Sequence, residues 1–198
     1  YARSPFGRRI RILLEELKMN YKVETLDVFN PPIGYENINP LGRVPVLQLP
    51  SSQCIIDSYQ IQSYLREHFS YDPIFSSVSA NIAEALNVSG LVVGIMECTV
   101  AQVIERMRPI SLQMPIVFED YMESIERTLK SLHYKVKGPY FFGKQISFVD
   151  CDFGTAIGYC DLRLGSGVID RYPQLREYYN QLNIRPSFQK TTPPPVAA

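Results

Sequence analysis

The sequence has few of the residues that build metal centres or disulfide frameworks. Its four cysteines stand at positions 54, 98, 151 and 160, and its two histidines are His68 and His133. Because no pair of cysteines has the Cys-x-x-Cys spacing, the sequence disfavours a zinc site and we expect no metal. Sparse, irregularly spaced cysteines are typical of reduced thiols, so we also expect a cytoplasmic protein.

An excess of charge of either sign is also missing. The chain has 20 Lys and Arg against 20 Asp and Glu, for a formal net charge of zero. Proteins that bind nucleic acid or a membrane surface through charge usually carry a basic patch. The longest apolar run, Leu91–Met96, is far shorter than the ~20 residues that cross a bilayer, and no secretory signal is visible. We therefore expect small molecules or a second copy as partners, with no nucleic acid and no membrane.

The first part of the chain is typical of a small mixed α/β unit. After Ser4-Pro5, apolar residues recur at helical spacing, at Ile10, Leu13, Leu14 and Leu17. Ser4 has the place of an N-cap and Pro5 that of the first helical residue, so a capping role alone would explain Ser4. We expect Tyr1-Ala2 to be the end of a first strand that begins upstream of the printed sequence.

Three further segments complete this unit. Residues 21–28 alternate with period two and predict a second strand. Residues 46–49 and 53–56 predict a hairpin, and Ser58 starts a helix. The order βαβ followed by ββα predicts a small sheet covered by helices, within a domain of residues 1–69.

The second half is predicted to be all-helical. Residues 70–78 are expected to be a linker, and residues 79–198 a helical domain with long helices over 79–108 and 118–134. Ser147 and Asp150 have the spacing of a capping box at the start of a core helix. Tyr172-Pro173 opens a last long helix that ends before Pro186.

Polar groups stand at the ends of three predicted elements. Ser4 precedes the first helix, Val44-Pro45 precedes a strand, and Asp57-Ser58 joins a strand to a helix. A cis bond before Pro45 would aim the N–H and C=O of Val44 outward, where an extended peptide-like ligand pairs as an added strand does. We expect the three features to converge on one cleft.

This succession of motifs resembles the glutathione transferase superfamily. The matching motifs are Ser4-Pro5-Phe6-Gly7, Asn39 to Leu47, Asp57-Ser58 and Ser147 to Asp150. Gly158 to Arg163 and Arg185-Pro186-Ser187-Phe188 are similar to its bacterial YibF-like branch. The resemblance implies a thioredoxin-like N-terminal domain, an all-α C-terminal domain, and glutathione as co-substrate without a metal.

The resemblance also implies roles for the site residues. Pro45 would be the cis-proline, with Val44 on the cysteinyl backbone of glutathione, while Arg43 is either a carboxylate ligand or a solvated cation. Asp57 and Ser58 would take the γ-glutamyl end, as a countercharge to the ammonium and a donor to the carboxylate. Arg8 or Arg9 is an alternative carboxylate ligand.

Two hydroxyls compete for the role of activating the thiol. The Ser4 hydroxyl and the N-terminus of the first helix would both stabilise the thiolate, and Tyr1 is the rival because some classes of the family use a tyrosine. Relatives that reduce mixed disulfides carry a cysteine where this chain has Ser4, so that chemistry is disfavoured. We interpret Cys54, Cys98 and Cys151 as packing residues.

For the second substrate, the resemblance implies a site on the long helix that ends at Arg108. Met96, Thr99, Val103 and Met107 recur there at spacings of three and four. The expected function is conjugation of glutathione to a small electrophile by a homodimeric enzyme. The alternatives are a noncatalytic binding or regulatory protein and a glutathione-dependent peroxidase or reductase.

Overall fold

The computed structural model describes residues 2–136 and 138–196. In chain order the regular elements are α1 Pro5–Glu16, β1 Val46–Gln48, β2 Cys54–Ile56, α2 Ser58–His68, α3 Pro73–Ser76, α4 Ile82–Arg106, α5 Pro115–His133, α6 Phe148–Leu164, α7 Gly167–Asp170, α8 Pro173–Asn183 and α9 Pro186–Lys190. Short 3-10 turns lie at Tyr35–Asn37, Ser79–Asn81 and Ile110–Leu112. The predicted architecture of a small α/β unit followed by helices is confirmed.

One predicted strand is not formed. Residues 21–28 are without regular structure, and Val23 is 47% exposed. A strand exists only where a neighbour pairs with it. Among the described residues the sheet consists of β1 and β2 alone, and Ala2 and Arg3 lie in a turn and do not form a strand. Period-two alternation was therefore an insufficient signal for this segment.

The predicted helices of the second half are present with small shifts of their ends. The stretch expected to be a linker contains α3, whose Ile74 and Phe75 are buried, and Val78 after it is buried as well. Ser147 and Asp150 form the capping box at the start of α6, as predicted. Helix α6 has buried residues on all its sides and packs against α1, α4 and α8, so it is the central helix of the molecule.

Helix α9 ties the end of the chain to α1. The Arg185 guanidinium donates to both oxygens of Glu16, at 2.9 and 2.8 Å, and Ser187 donates to the same carboxylate. Phe188 lies so close to α6 that a Cβ on Gly154 would be 2.2 Å from its ring. Residue 154 therefore has to be glycine for the helices to approach this closely.

Among the described residues one stretch, Pro73–Arg106, is long and apolar enough to cross a membrane, and 44% of its apolar 18-residue window is buried inside the protein. Most of this stretch is α4, which packs against α5 and α6. The core helix of a helical domain has the same length and composition, so the property is weak evidence for a membrane span.

Candidate functional site

The hairpin brings two of the predicted features to one edge. In the antiparallel pair, Val46 is opposite Ile56. The residue before β1, Pro45, and the residue after β2, Asp57, are therefore at the same end of the hairpin. Val44-Pro45 and Asp57-Ser58 therefore lie side by side, and we call these residues the rim.

The bend itself is held by two side chains that the sequence did not single out for this role. The Val44-Pro45 bond is cis. The Tyr35 hydroxyl and the Asn39 amide both donate to the carbonyl of Arg43, each at 2.7 Å. No described residue hydrogen-bonds the backbone N–H or C=O of Val44. The bend is held by the two side chains that donate to the Arg43 carbonyl, while the backbone N–H and C=O of Val44 remain available to a ligand.

The Arg43 side chain, in contrast, is exposed. An exposed guanidinium fits the expectation of a solvated cation, and it is also accessible to the carboxylate of a ligand.

Asp57 and Ser58 have different surroundings. Asp57 is exposed and its Oδ1 accepts from the amides of Tyr59 and Gln60, at 2.8 and 3.0 Å, so it is the N-cap of α2. Its φ of 66° and ψ of 159° place it in a region that is almost restricted to glycine. Ser58 is only 3% exposed, and no described residue accepts from its amide. The start of α2 thus has a capping carboxylate and an N–H that remains available.

Arg9 of α1 joins this rim to the helical domain. Its Nε and Nη2 donate to the two oxygens of Asp152 in α6, at 2.7 and 2.9 Å. Its Nη1 donates to Ser58 Oγ at 3.1 Å. The side chain is fully buried, so it does not contact a ligand directly as the sequence allowed. Arg8 is also buried, and its Nη2 donates to the carbonyl of Phe188, so it is not a ligand of the rim either.

Ser4 is the N-cap of α1, as its position in the sequence predicted. Its Oγ accepts from the Gly7 amide at 3.2 Å, and the residue is 7% exposed. A hydroxyl that accepts one hydrogen bond keeps its own proton to donate, so capping and activation are compatible. The rival, Tyr1, lies outside the described residues.

A cleft of about 560 Å³ lies beside Ala2 and Arg3, the two residues before Ser4. It is bounded by Ala2, Arg3, residues 25–27, Phe29, Val103, Met107 and Arg163. Two residues of the predicted electrophile set, Val103 and Met107, thus line a cavity. The other two, Met96 and Thr99, are fully buried in the helical core, where a ligand does not reach them. The spacing of the four residues did not distinguish the pair that lines the cleft from the pair buried in the core, because all four belong to the same helical pattern.

The cysteines are unpaired thiols in two kinds of environment. Burial raises the pKa of Cys98, raises that of Cys160 to about 12, and raises that of Cys151 well above its ordinary value. Cys54 is exposed, which corrects the expectation that it packs in a buried strand. It is the first residue of β2, opposite Gln48, and this end of the hairpin faces solvent.

In the part of the chain that the structure describes, no group of three His, Cys, Asp or Glu side chains is arranged to hold a metal.

Two family models match the chain. The model of the glutathione S-transferase N-terminal domain matches residues 3–68, and that of the glutathione S-transferase C-terminal domain matches residues 115–181. The first contains Ser4, the bend at Pro45 and the start of α2. The second contains the capping box and the whole of α6.

Comparison with individual proteins gives the same result. Uncharacterized GST-like protein YibF of Escherichia coli (strain K12) is 31% identical over 197 residues, covering 96% of this chain and 95% of that protein. Glutathione S-transferase DHAR2 of Arabidopsis thaliana is 27% identical over 196 residues, covering 94% of this chain and 83% of that protein. A glutathione S-transferase of Methylobacillus flagellatus KT, crystallised with GSH bound, is 26% identical, with a TM-score of 0.89 and 96% of each chain covered.

Proposed function

This chain belongs to the glutathione S-transferase family, and from that premise we propose that it binds glutathione and transfers the activated thiolate to a small electrophile. The observation that carries the proposal is the shared rim. The hairpin register puts the bend before β1 beside the start of α2, and Arg9 links the start of α2 to α1.

The rim and Ser4 are linked through α1. Ser4 is the N-cap of α1, and Arg9 of the same helix donates to Ser58 Oγ. We propose that glutathione places its γ-glutamyl end at Ser58 and its sulfur at Ser4.

In the proposed complex each end of glutathione has its own partner. Asp57 attracts the γ-glutamyl ammonium, and the Ser58 amide and hydroxyl donate to the α-carboxylate. The backbone of Val44 pairs with the cysteinyl residue as an added strand would, and Arg43 is within the same edge for the remaining carboxylate. The cleft lined by Val103 and Met107 receives the electrophile beside the sulfur.

The chemical step needs a thiolate. A free thiol has a pKa near ~8.5, so lowering that pKa by about two units requires roughly 2.7 kcal/mol of preferential stabilisation of the anion. A hydrogen bond from Ser4 to a charged sulfur contributes about 1.5–3 kcal/mol, and the N-terminus of α1 adds about 0.3–1 kcal/mol. The thiolate then attacks the electrophilic carbon, forms a C–S bond, and the leaving group takes the displaced electron pair.

The direct test pairs calorimetric titration with glutathione and a steady-state assay with a chloronitrobenzene electrophile. We expect saturable binding and glutathione-dependent product formation. The near-complete burial of Ser4 favours a second candidate, a glutathione-binding protein without turnover. Binding with no product from a broad panel of electrophiles would establish that second candidate, and no binding would refute both.

The match to a relative named DHAR2 raises the further alternative of a glutathione-dependent reductase. Reduction of a mixed disulfide through an enzyme thiol needs a nucleophilic cysteine, and this chain has Ser4 at the start of α1. We propose that the transferase reaction is the native one. A rate of mixed-disulfide reduction above that of conjugation would reverse this order.

The proposal also includes the compartment and the assembly. We propose a cytoplasmic protein, where glutathione is reduced and where its four free cysteines stay reduced. We propose a homodimer as well, because exposed apolar side chains such as Leu86 (47% exposed) lie on the outer side of α4. Sedimentation velocity would give about twice the mass of 22.6 kDa if this is correct, and a single-chain mass if it is not.

A further inference from the structure

The first observation concerns Arg9, a buried charge that the proposed chemistry does not use. The side chain is 0% exposed, and all three of its nitrogens donate hydrogen bonds, two to Asp152 and one to Ser58. Its guanidinium also lies 5.4 Å from the centre of the Tyr59 ring. A cation this deeply buried is tolerated because each of its nitrogens has a hydrogen-bond partner and its charge is paired with Asp152.

The second observation is that Asp152 is itself fixed from several helices. Ser89 of α4 donates to its Oδ2 at 2.6 Å, and Gln62 of α2 donates to both of its oxygens, at 3.3 and 3.4 Å. Together with Arg9 of α1, these contacts hold the carboxylate from three elements besides its own. The guanidinium therefore has a fixed position relative to the start of α2.

The third observation is that the Ser58 hydroxyl has a single proton, whose use is limited by the contact with Arg9. A guanidinium has donors and no acceptor, so the contact with Arg9 occupies an acceptor site on Ser58 Oγ. The single proton of the hydroxyl must therefore point elsewhere. No described residue accepts from this hydroxyl or from the Ser58 amide. Two donors of one residue are therefore left for the two oxygens of a carboxylate.

We propose that Arg9 is a positioning residue for glutathione: held by Asp152 of the helical domain, it orients the Ser58 hydroxyl as a donor to the γ-glutamyl carboxylate. This inference rests on the proposed glutathione site. It adds that the affinity of the N-terminal domain for glutathione is set in part by a carboxylate of the other domain. Arg9 does not contact the sulfur and takes no part in the chemical step.

The test is a double-mutant cycle on the dissociation constant of glutathione, measured by calorimetry on the full chain. Arg9→Lys keeps the charge but not the fork, and we expect it to raise the dissociation constant about tenfold, the size of one charge-assisted hydrogen bond. In a Ser58→Ala background the same substitution should change it by less than about twofold, because its target hydroxyl is gone. For Arg9→Lys we expect the change in KM for glutathione to exceed any change in kcat, because Arg9 does not contact the reacting atoms.

A matched control is Arg8→Lys, which changes the neighbouring buried arginine without touching Ser58, and we expect a dissociation constant within about twofold of the wild type. If Arg9→Lys does not fold, the pair Arg9→Met with Asp152→Leu replaces the ion pair by apolar side chains, which is often tolerated. That pair should show the same tenfold loss.

An equal loss in the wild-type and Ser58→Ala backgrounds would make the role of Arg9 purely structural and overturn the inference. The inference would also fail if Ser58→Ala left the affinity unchanged while the wild type bound glutathione. In contrast, a wild type that does not bind glutathione would refute the proposed function itself.

Discussion

At the residue scale, Ser4 combines two roles that the sequence presented as alternatives. Its Oγ caps α1 by accepting from the Gly7 amide, and its proton is available for a sulfur. Activation of the thiol is therefore an addition to capping and does not compete with it. The two roles can be separated by side chains that keep only one of them.

The first prediction separates them by substitution. Ser4→Ala loses both roles, whereas Ser4→Asp keeps the capping oxygen but repels a thiolate and has no proton to donate. Both should raise the pKa of bound glutathione by about one to two units, read from the ultraviolet absorbance of the thiolate against pH. Only Ser4→Ala should lose about 1 kcal/mol of stability as well.

The control for this series is Ser51→Ala in the exposed hairpin turn, which should leave the thiol pKa unchanged. An unchanged thiol pKa in both Ser4 variants would assign the activation to another group.

The second prediction concerns the cysteines. Burial raises the pKa of Cys151, and that of Cys160 to about 12, so almost no thiolate exists at neutral pH. Iodoacetamide should therefore label exposed Cys54 rapidly in the folded protein, Cys98 slowly, and the two buried cysteines only in denaturant. Peptide mass spectrometry reads the sites, and Cys54→Ser should remove the rapid phase. Rapid labelling of Cys151 in the native state would contradict the burial of α6.

At the element scale, the start of α2 shows a conflict between backbone and side chain at one residue. Asp57 has a conformation that costs about 1–3 kcal/mol for a residue other than glycine. Its carboxylate compensates by capping two amides. The strain thus accompanies a side chain that the proposed site uses for the ammonium of glutathione.

The third prediction follows from this conflict. Asp57→Gly relieves the backbone strain and loses only a few tenths of a kcal/mol of capping, so the free energy of unfolding should stay equal or rise. Asp57→Ala keeps the strain and loses the cap, so it should destabilise by about 1 kcal/mol. Both should weaken glutathione binding. Urea unfolding measures the free energy of unfolding, and calorimetry measures the affinity for glutathione. If Asp57→Gly bound glutathione as tightly as the wild type, Asp57 would not be a ligand.

The fourth prediction concerns the start of α6, where burial raises the pKa of the Asp150 carboxyl against the opposing hydrogen bonds from Ser147 and Tyr178. The folded protein then binds the proton more tightly than the unfolded chain, whose aspartates titrate near ~3.9. The contribution of this group to stability is fully present below about pH 4 and is lost as pH rises through the raised folded pKa.

Urea unfolding at a series of pH values checks this sign. The unfolding free energy of the wild type minus that of Asp150→Asn should fall as pH rises across this window. A difference that grows with pH would mean that the folded state stabilises the carboxylate, with the pKa of Asp150 below its ordinary value.

The elements also show what the sequence could and could not predict. Long helical patterns located α4 and α5, while a capping box located the start of α6 and two prolines located the ends of α8, because these signals are local in the chain. The segment 21–28 failed, because a strand depends on a partner that is distant in the chain. The site shows the same difference between local and distant signals. Residues at the ends of elements could be recognised in the sequence. The contact of Arg9 with Asp152 could not, because it joins two helices that only the tertiary structure brings together.

At the scale of the whole molecule, three ion pairs among the described residues join α1 to the helical part. Arg9 with Asp152 is fully buried, while Arg185 with Glu16 and Lys190 with Glu15 are partly exposed. A buried pair is costly to break on one side, because the remaining charge is left without a partner. It contributes little net stability compared with an apolar pair of similar volume.

The fifth prediction follows from this difference between losing one partner of the buried pair and replacing both. Arg9→Met or Asp152→Leu alone should destabilise by about 3–5 kcal/mol, lowering Tm by on the order of 10 °C for a chain of this size. The two together should restore most of the loss, because no unpaired charge remains. Calorimetric melting of the three variants measures this. Additive losses in the double variant would show that the pair is not coupled.

The central claim is that Ser4, the cis-proline bend at Pro45 and the start of α2 together bind one glutathione. A crystal structure of this chain with glutathione tests it most directly. We predict the sulfur within about 3.5 Å of Ser4 Oγ, the cysteinyl backbone paired with Val44, and the γ-glutamyl carboxylate on Ser58. Glutathione bound on another surface, or bound along this rim with its sulfur directed away from Ser4, would contradict the account.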